Sequence, residues 1–335
     1  MLLIFVSCTR QVDVYSLTYS NPYPDIMNTI VLKGNLHGHT SNSDSQISPK
    51  EYMEKYRDAN YDFAAITDHD NYENAQFVPE YASYPTMDPN VEGIIFMGPS
   101  YEDSSPSQHI NIFKVSDFLG FKGRRSINQV LNKASKKGLI CSLNHPNWHS
   151  QYLSDETILG IKEPLLFVEV WNGTMSSDVN DNEEAENAWS NSCRAWDLLL
   201  SSGHIVYAIA TDDFHIIPPY PDNHFFRKGY VEVYSKGRTA EDIWTALEYG
   251  QFVACNGLSR DNSINITTIS CKNLMYHVEV ENPCDIFFIG ENGIVLQEDL
   301  ATTSATYYVK GTEKYVRCSV KNEKEYKWLQ PMIRK

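Results

Sequence analysis

Apolar runs in this 335-residue chain stop, one after another, on histidines and carboxylates. The run around Leu36 enters His37-Gly38-His39-Thr40, and Phe63-Ala64-Ala65-Ile66 ends in Thr67-Asp68-His69-Asp70. Residues two apart on an extended strand face the same side, so His37 and His39 can present two imidazoles to one point, with Gly38 leaving the other face empty. Asp44 follows in a Ser/Asn/Asp loop. Strand ends that stop on titratable residues are where α/β proteins place their chemistry.

The pattern recurs downstream. The strand-like stretch 93–98 leads to Glu102, and 109–113 opens on His109; 139–143 ends in Asn144-His145-Pro146, and 205–210 in Thr211-Asp212-Asp213-Phe214-His215. Asp213 and His215, again two apart, would share a face on continuing extended backbone. Between these strands, Ser48-Pro49-Lys50-Glu51 carries an N-cap serine, a first-turn proline and a capping-box glutamate, predicting a helix over 48–60. Further helices are predicted over 126–137, 183–201 and 239–249, with strands at 165–172, 229–234 and 251–254. Alternation of this kind implies a parallel sheet or a closed barrel. After about residue 262 the helical period disappears, and short strands at 264–269, 275–280, 286–289, 307–309 and 315–320 predict a small antiparallel sandwich.

A net charge of -15 argues against a nucleic-acid polymer bound along an open surface, since such binding rests on clustered Lys and Arg. No apolar run approaches the roughly 20 residues that span a bilayer. Residues 1–8 read either as the tail of a secretory signal with Cys8 as lipid acceptor, followed by a tether to about residue 28, or as a short apolar strand. The expected location is exported, lipid-anchored or periplasmic, and otherwise cytoplasmic. Seven cysteines without a Cys-x-x-Cys pair speak against a thiolate metal site.

Taken together, His37-Gly38-His39, Asp44, Thr67-Asp68-His69-Asp70, Glu102, Asn144-His145-Pro146 and Asp213-Phe214-His215 resemble the motifs of the PHP (polymerase and histidinol phosphatase) family of metal-dependent hydrolases. The resemblance covers about 30–257 and is greatest to the branch with a C-terminal β-domain that includes carbamate hydrolases and phosphoesterases. It implies a distorted (β/α)7 TIM-like barrel over 29–260 with a small antiparallel β-sandwich over 261–335. It also implies a ligand set: His37, His39 and Asp213 on a first metal, Glu102 bridging to a second held by His109 and His145, and Asp44, His69 and His215 on a third. Asp44 stands where many relatives have histidine. Two or three divalent transition metals follow, and a shell of imidazole and carboxylate suits Zn, Mn or Fe.

The implied activity is hydrolysis of a small phosphorylated molecule by a hydroxide bridging two metals. Glu102 joins the metals, and Asp68 either protonates the leaving group or orients a ligand imidazole. Arg124, Arg227, Lys228 and His224 are the candidates for holding substrate, and Trp148 and Trp171 for walling the pocket. Hydrolysis of a carbamate, ester or amide by the same metals is the alternative chemistry. An exported binding protein with structural metals is the alternative of another class.

Overall fold

The computed structural model describes residues 18–335 apart from 25, 74–75, 105–107, 121–124, 149–151, 179–191, 222–223 and 258–263. The readings made on residues 1–8, on Arg124 and on 183–191 lie outside the described residues. Strands dominate, and the described residues contain six α-helices. A ten-stranded sheet runs in the order Ile266–Lys272, Met275–Ile289, Tyr315–Lys321, Tyr326–Ile333, Phe252–Asn256, Gly229–Ser235, Ile30–Asn35, Phe63–Ala64, Ile95–Phe96, with Val295–Tyr308 paired to Met275–Ile289. A second sheet of five strands runs Tyr207–Thr211, Phe167–Asn172, Ile140–Leu143, Ile110–Phe113, Tyr101–Asp103.

This corrects the expected (β/α)7 barrel with a separate sandwich. Both sheets are mixed. Ile30–Asn35 pairs in parallel with Phe63–Ala64 but antiparallel with Gly229–Ser235, which is antiparallel to Phe252–Asn256 in turn. Tyr101–Asp103, Ile110–Phe113 and Ile140–Leu143 are likewise successive antiparallel neighbours. Alternation of helix and strand implies a parallel sheet only when every connection crosses over, and here the helix Ala240–Glu248 joins two antiparallel neighbours. The C-terminal strands do not form a sheet of their own either, because Tyr326–Ile333 pairs with Phe252–Asn256 and so extends the first sheet.

Helix starts follow the sequence closely. Pro49–Asp58, Ile127–Ser135 and Ala240–Glu248 each begin with a complete capping box, on Ser48, Ser126 and Thr239 respectively. Leu32, Phe63, Phe113, Phe167, Ile209, Val231 and Phe252, drawn from both sheets, form one buried cluster. The titratable motifs lie at the ends of several strands: His37 and His39 after Ile30–Asn35, Asp68 and His69 after Phe63–Ala64, His109 just before Ile110–Phe113, and Asp213 and His215 after Tyr207–Thr211. Isolated bridges carry the pairing one step further, Gly38 with Phe214 and His69 with Glu102, which fixes the register of the histidines beside them.

Candidate metal centre

The opening strand delivers His37 and His39 to one point: their Nε2 atoms are 3.2 Å apart, and both side chains are fully buried. Gly38 between them has no substitute, because a Cβ there would lie 2.5 Å from the Tyr52 hydroxyl. The His39 amide donates to the Phe214 carbonyl (2.9 Å), tying the motif to the segment that carries Asp213 and His215. That segment is not extended as the sequence reading supposed. Asp213 has φ of 50°, as His145 has φ of 27°, and both sit at strand exits where backbone strain is tolerated for the sake of a site.

Glu102 is the hub. Its Oε1 lies 3.4 Å from His37 Nε2, 3.2 Å from His109 Nδ1 and 3.5 Å from His145 Nε2. Its Oε2 lies 3.3 Å from His39 Nε2 and 3.4 Å from His69 Nδ1. Asp213 Oδ1 adds contacts of 3.3 Å and 3.2 Å to the Nε2 atoms of His37 and His39. On the outer side, Asp44 reaches His215 Nε2 at 3.2 Å, His39 Nδ1 at 3.4 Å and His69 Nε2 at 3.5 Å. Four groups of three are able to hold an ion: His37, His39 and Glu102; His39, Asp213 and His215; His39, Asp44 and His69; Glu102, His109 and His145. Every one of the nine residues expected as ligands is in this cluster, and Asp44 is its exposed member.

The residues fit divalent cations. His39 Nδ1, His69 Nδ1 and Asp213 Oδ1 are buried with no hydrogen-bond partner, and lone pairs converging from imidazoles and carboxylates are what a transition metal accepts. The protein's own charges make the same point. Burial alone would raise Glu102, yet His109 and His37 hold it well below the usual carboxylate range; Asp44 is depressed likewise by His215 and His39. Burial would lower His39, but Asp44, with help from Asp213 and Glu102, lifts it to about 10. His37 is raised by Asp213, Glu169 and Glu102 against the same desolvation, whereas for His109 desolvation wins and its value falls. Carboxylates packed this densely need positive charge among them, from protons or from metal, and the two compete.

Further side chains hold these nine residues in place, and the main one, Glu169, escaped the sequence reading. Fully buried, it accepts from Thr211 Oγ1 (2.6 Å), Asn172 Nδ2 (3.0 Å) and the His145 amide (2.8 Å), and it holds His37 Nδ1 at 2.6 Å. A carboxylate on Nδ1 fixes the tautomer that turns the Nε2 lone pair inward. Asn144 donates to Glu102 Oε1 (2.7 Å), and Asn172 donates to Asp213 Oδ2 (3.1 Å). The available signal was a lone glutamate inside the apolar strand Phe167–Asn172. Glu169→Ala is expected to weaken divalent-metal binding roughly 10- to 100-fold, as loss of such a partner does elsewhere, measured by competition with a chromophoric chelator. Unchanged affinity would remove Glu169 from this role.

Asp68 takes a different place from the ligands. Its Oδ1 accepts from the Thr40 amide (2.6 Å) and Ser43 (3.0 Å), and its Oδ2 from the hydroxyls of Thr40 and Thr86 (both 2.7 Å). It thereby pins the loop that presents Asp44. Asp212 accepts from Tyr56 and from the amides of Arg227, Lys228 and Gly229, drawing that turn against Asp213. His224 stacks on Tyr220, with ring centroids 4.7 Å apart, and belongs to none of the four groups. Trp148 packs against His145 and His109, at 5.3 and 6.1 Å between centroids, whereas Trp171 stacks on Trp328.

No protein-family model and no curated protein matches the chain. Among solved structures it matches a two-domain protein from Bacteroides vulgatus containing a predicted PHP-like metal-dependent phosphoesterase, at 17% identity and TM-score 0.47, over 90% of this chain and 93% of that one. The likeness is to PHP-like proteins. Endonuclease Q of Pyrococcus furiosus, a lesion-specific endonuclease, matches at 15% identity and TM-score 0.45, over 73% of this chain and 64% of that one. An Endonuclease Q complex with a 27-mer duplex carrying an abasic lesion at the active site matches at 13% identity and TM-score 0.41, over 65% and 57%. With a neighbour solved on a DNA duplex, the expectation that excludes nucleic-acid polymers is withdrawn. Its premise was also at fault, because net charge over a whole chain does not describe one mouth, and bound divalent cations supply the positive charge that Lys and Arg would otherwise provide. No helix among the described residues is long and apolar enough to cross a membrane.

Proposed function

We propose that this chain is a metal-dependent phosphoesterase whose ions sit between the ends of the two sheets. One observation carries the reading: five imidazoles, those of His37, His39, His69, His109 and His145, lie within 3.5 Å of the single buried carboxylate of Glu102. Structural metal sites are ordinarily closed and mononuclear, whereas a carboxylate shared by several groups suits a multi-ion catalytic site. His37, His39 and Asp213 would hold one ion, His109 and His145 a second, and Asp44, His69 and His215 a third, with Glu102 joining the first two. Zn, Mn or Fe suits these donors.

Divalent ions held there supply Lewis acidity for the phosphoryl oxygens and make water nucleophilic near neutral pH. The chain's own residues set the geometry. Glu169 and Asn144 orient His37 and Glu102, so the lone pairs point inward before an ion arrives. Asp68 keeps the Asp44 loop in place on the exposed side, where substrate enters. The Asp212 carboxylate accepts from the amides of Arg227 and Lys228, and the side chains of these two residues are the proposed contacts for a substrate anion.

The test is a panel of phosphate mono- and diesters, single- and double-stranded oligonucleotides, carbamates, carboxylic esters and amides, each with Mn and with Zn. Turnover of at least one phosphate-ester class is expected. Turnover of carbamates or amides without any phosphate ester would overturn the proposal, and inactivity of the metal-loaded protein on the entire panel would favour a binding role.

A further inference from the structure

The strand Ile30–Asn35 ends on a side chain that ties two ligand-bearing segments together. Asn35 is fully buried; its Oδ1 accepts from the Asp212 amide (2.9 Å) and its Nδ2 donates to the His37 carbonyl (2.6 Å). One carboxamide is thus bonded to the backbone of His37 and to that of Asp212, which lies 177 positions further on and next to Asp213. Nδ2 also donates to the Tyr52 hydroxyl (3.2 Å), which donates in turn to the Ala65 carbonyl (2.9 Å), in the stretch leading to His69. Both polar atoms of the Asn35 side chain are therefore engaged.

Strand pairing alone does not set His37 against Asp213. Ile30–Asn35 lies in the ten-stranded sheet and Tyr207–Thr211 in the five-stranded one, so the two side chains, 3.3 Å apart from Nε2 to Oδ1, follow strands of different sheets. Hydrogen bonds cross between the two segments on both sides of the pair, from the Asp212 amide to Asn35 and from the His39 amide to the Phe214 carbonyl. Asp213, between these ties, has φ of 50°, and a non-glycine residue stays in that region only where its surroundings hold it there. The position calls for an acceptor facing an N–H and a donor facing a C=O on one uncharged group, which a carboxamide supplies; leucine has a similar shape and does neither.

We infer that Asn35 is a positioning residue for one metal ion, the one that His37 and Asp213 share: its carboxamide fixes the spacing of these two ligands before the ion arrives. The inference rests on the ligand assignment made above, and its test reads metal binding rather than turnover. Zn binding to the full chain is titrated against a chromophoric chelator for the parent, Asn35→Leu, Asp213→Ala and the double variant. Asn35→Leu is expected to weaken one ion about tenfold or more and to leave the others as in the parent. Because that ion is already weakened in Asp213→Ala, adding Asn35→Leu should lower the affinities less than about threefold further. Unchanged binding, equal weakening of every ion, or losses that multiply in the double variant would overturn the inference. Asn35→Ser, smaller and able to bond one of the two backbone groups, is carried alongside. If leucine prevents folding, the same single-ion loss is expected of serine, whereas two unfolded variants would assign Asn35 to the fold and overturn the inference as well. A parent that binds fewer than two ions would defeat the ligand assignment itself, and absent phosphate-ester turnover the phosphoesterase reading, each separately from what the Asn35 variants show.

Discussion

Glu102→Gln is expected to lower kcat/KM on any accepted phosphate ester by about a thousandfold or more, equivalent to ~4 kcal/mol of transition-state stabilisation. The substitution keeps size and shape but removes the charge that five imidazoles face. One oxygen would become an amide nitrogen, a donor with no lone pair to offer. The loss should appear with bound metal reduced and with the thermal midpoint of the metal-free protein little changed or raised, since burial of an ionised group is itself costly. Full activity in Glu102→Gln would mean that the groups sharing this residue are not the catalytic ones.

The second large effect concerns stability. Asp197, on the helix Cys193–Ser201, accepts from Arg317 Nε and Nη2 (both 2.7 Å) and from the Tyr315 hydroxyl (2.8 Å). Arg317 also lies over the Trp196 ring at 4.9 Å and donates to Ser319. Both members of this forked pair are buried. Asp197→Ala strands a guanidinium without its counter-charge and is expected to cost about 3–5 kcal/mol, read as a fall in the denaturation midpoint. The double replacement Asp197→Leu with Arg317→Met should recover most of that loss, because two apolar side chains of similar volume remove the desolvation penalty together. A single variant as stable as the parent would show the pair to be without consequence.

The residues proposed as ligands were legible in the sequence because most of them stand beside apolar runs, where residue type and position carry the signal together; Asp44, in a Ser/Asn/Asp loop, is the exception. Even His109, on the short interval after Glu102, lies against the hub. The bracing layer was harder to see. Glu169 looks like any glutamate until the fold sets His37, Thr211 and the His145 amide around it, and those partners are 132, 42 and 24 residues away. The barrel was misread for a related reason. Hydrophobic periodicity reports which face of an element is buried, but not which neighbour it pairs with or in which direction. Val295–Tyr308 shows a further gap: most of its residues are exposed or half-exposed along a strand with one neighbour, so only the end near Tyr307 had an apolar pattern to notice.

The central claim is that one buried carboxylate organises several ions. Elemental analysis of the purified protein, saturated with Mn or Zn and freed of excess by gel filtration, tests it most directly when paired with Glu102→Gln. The account predicts at least two ions per chain in the parent, and loss of more than one through this single substitution. One ion or none per parent chain, or a variant that keeps the full complement, would contradict it.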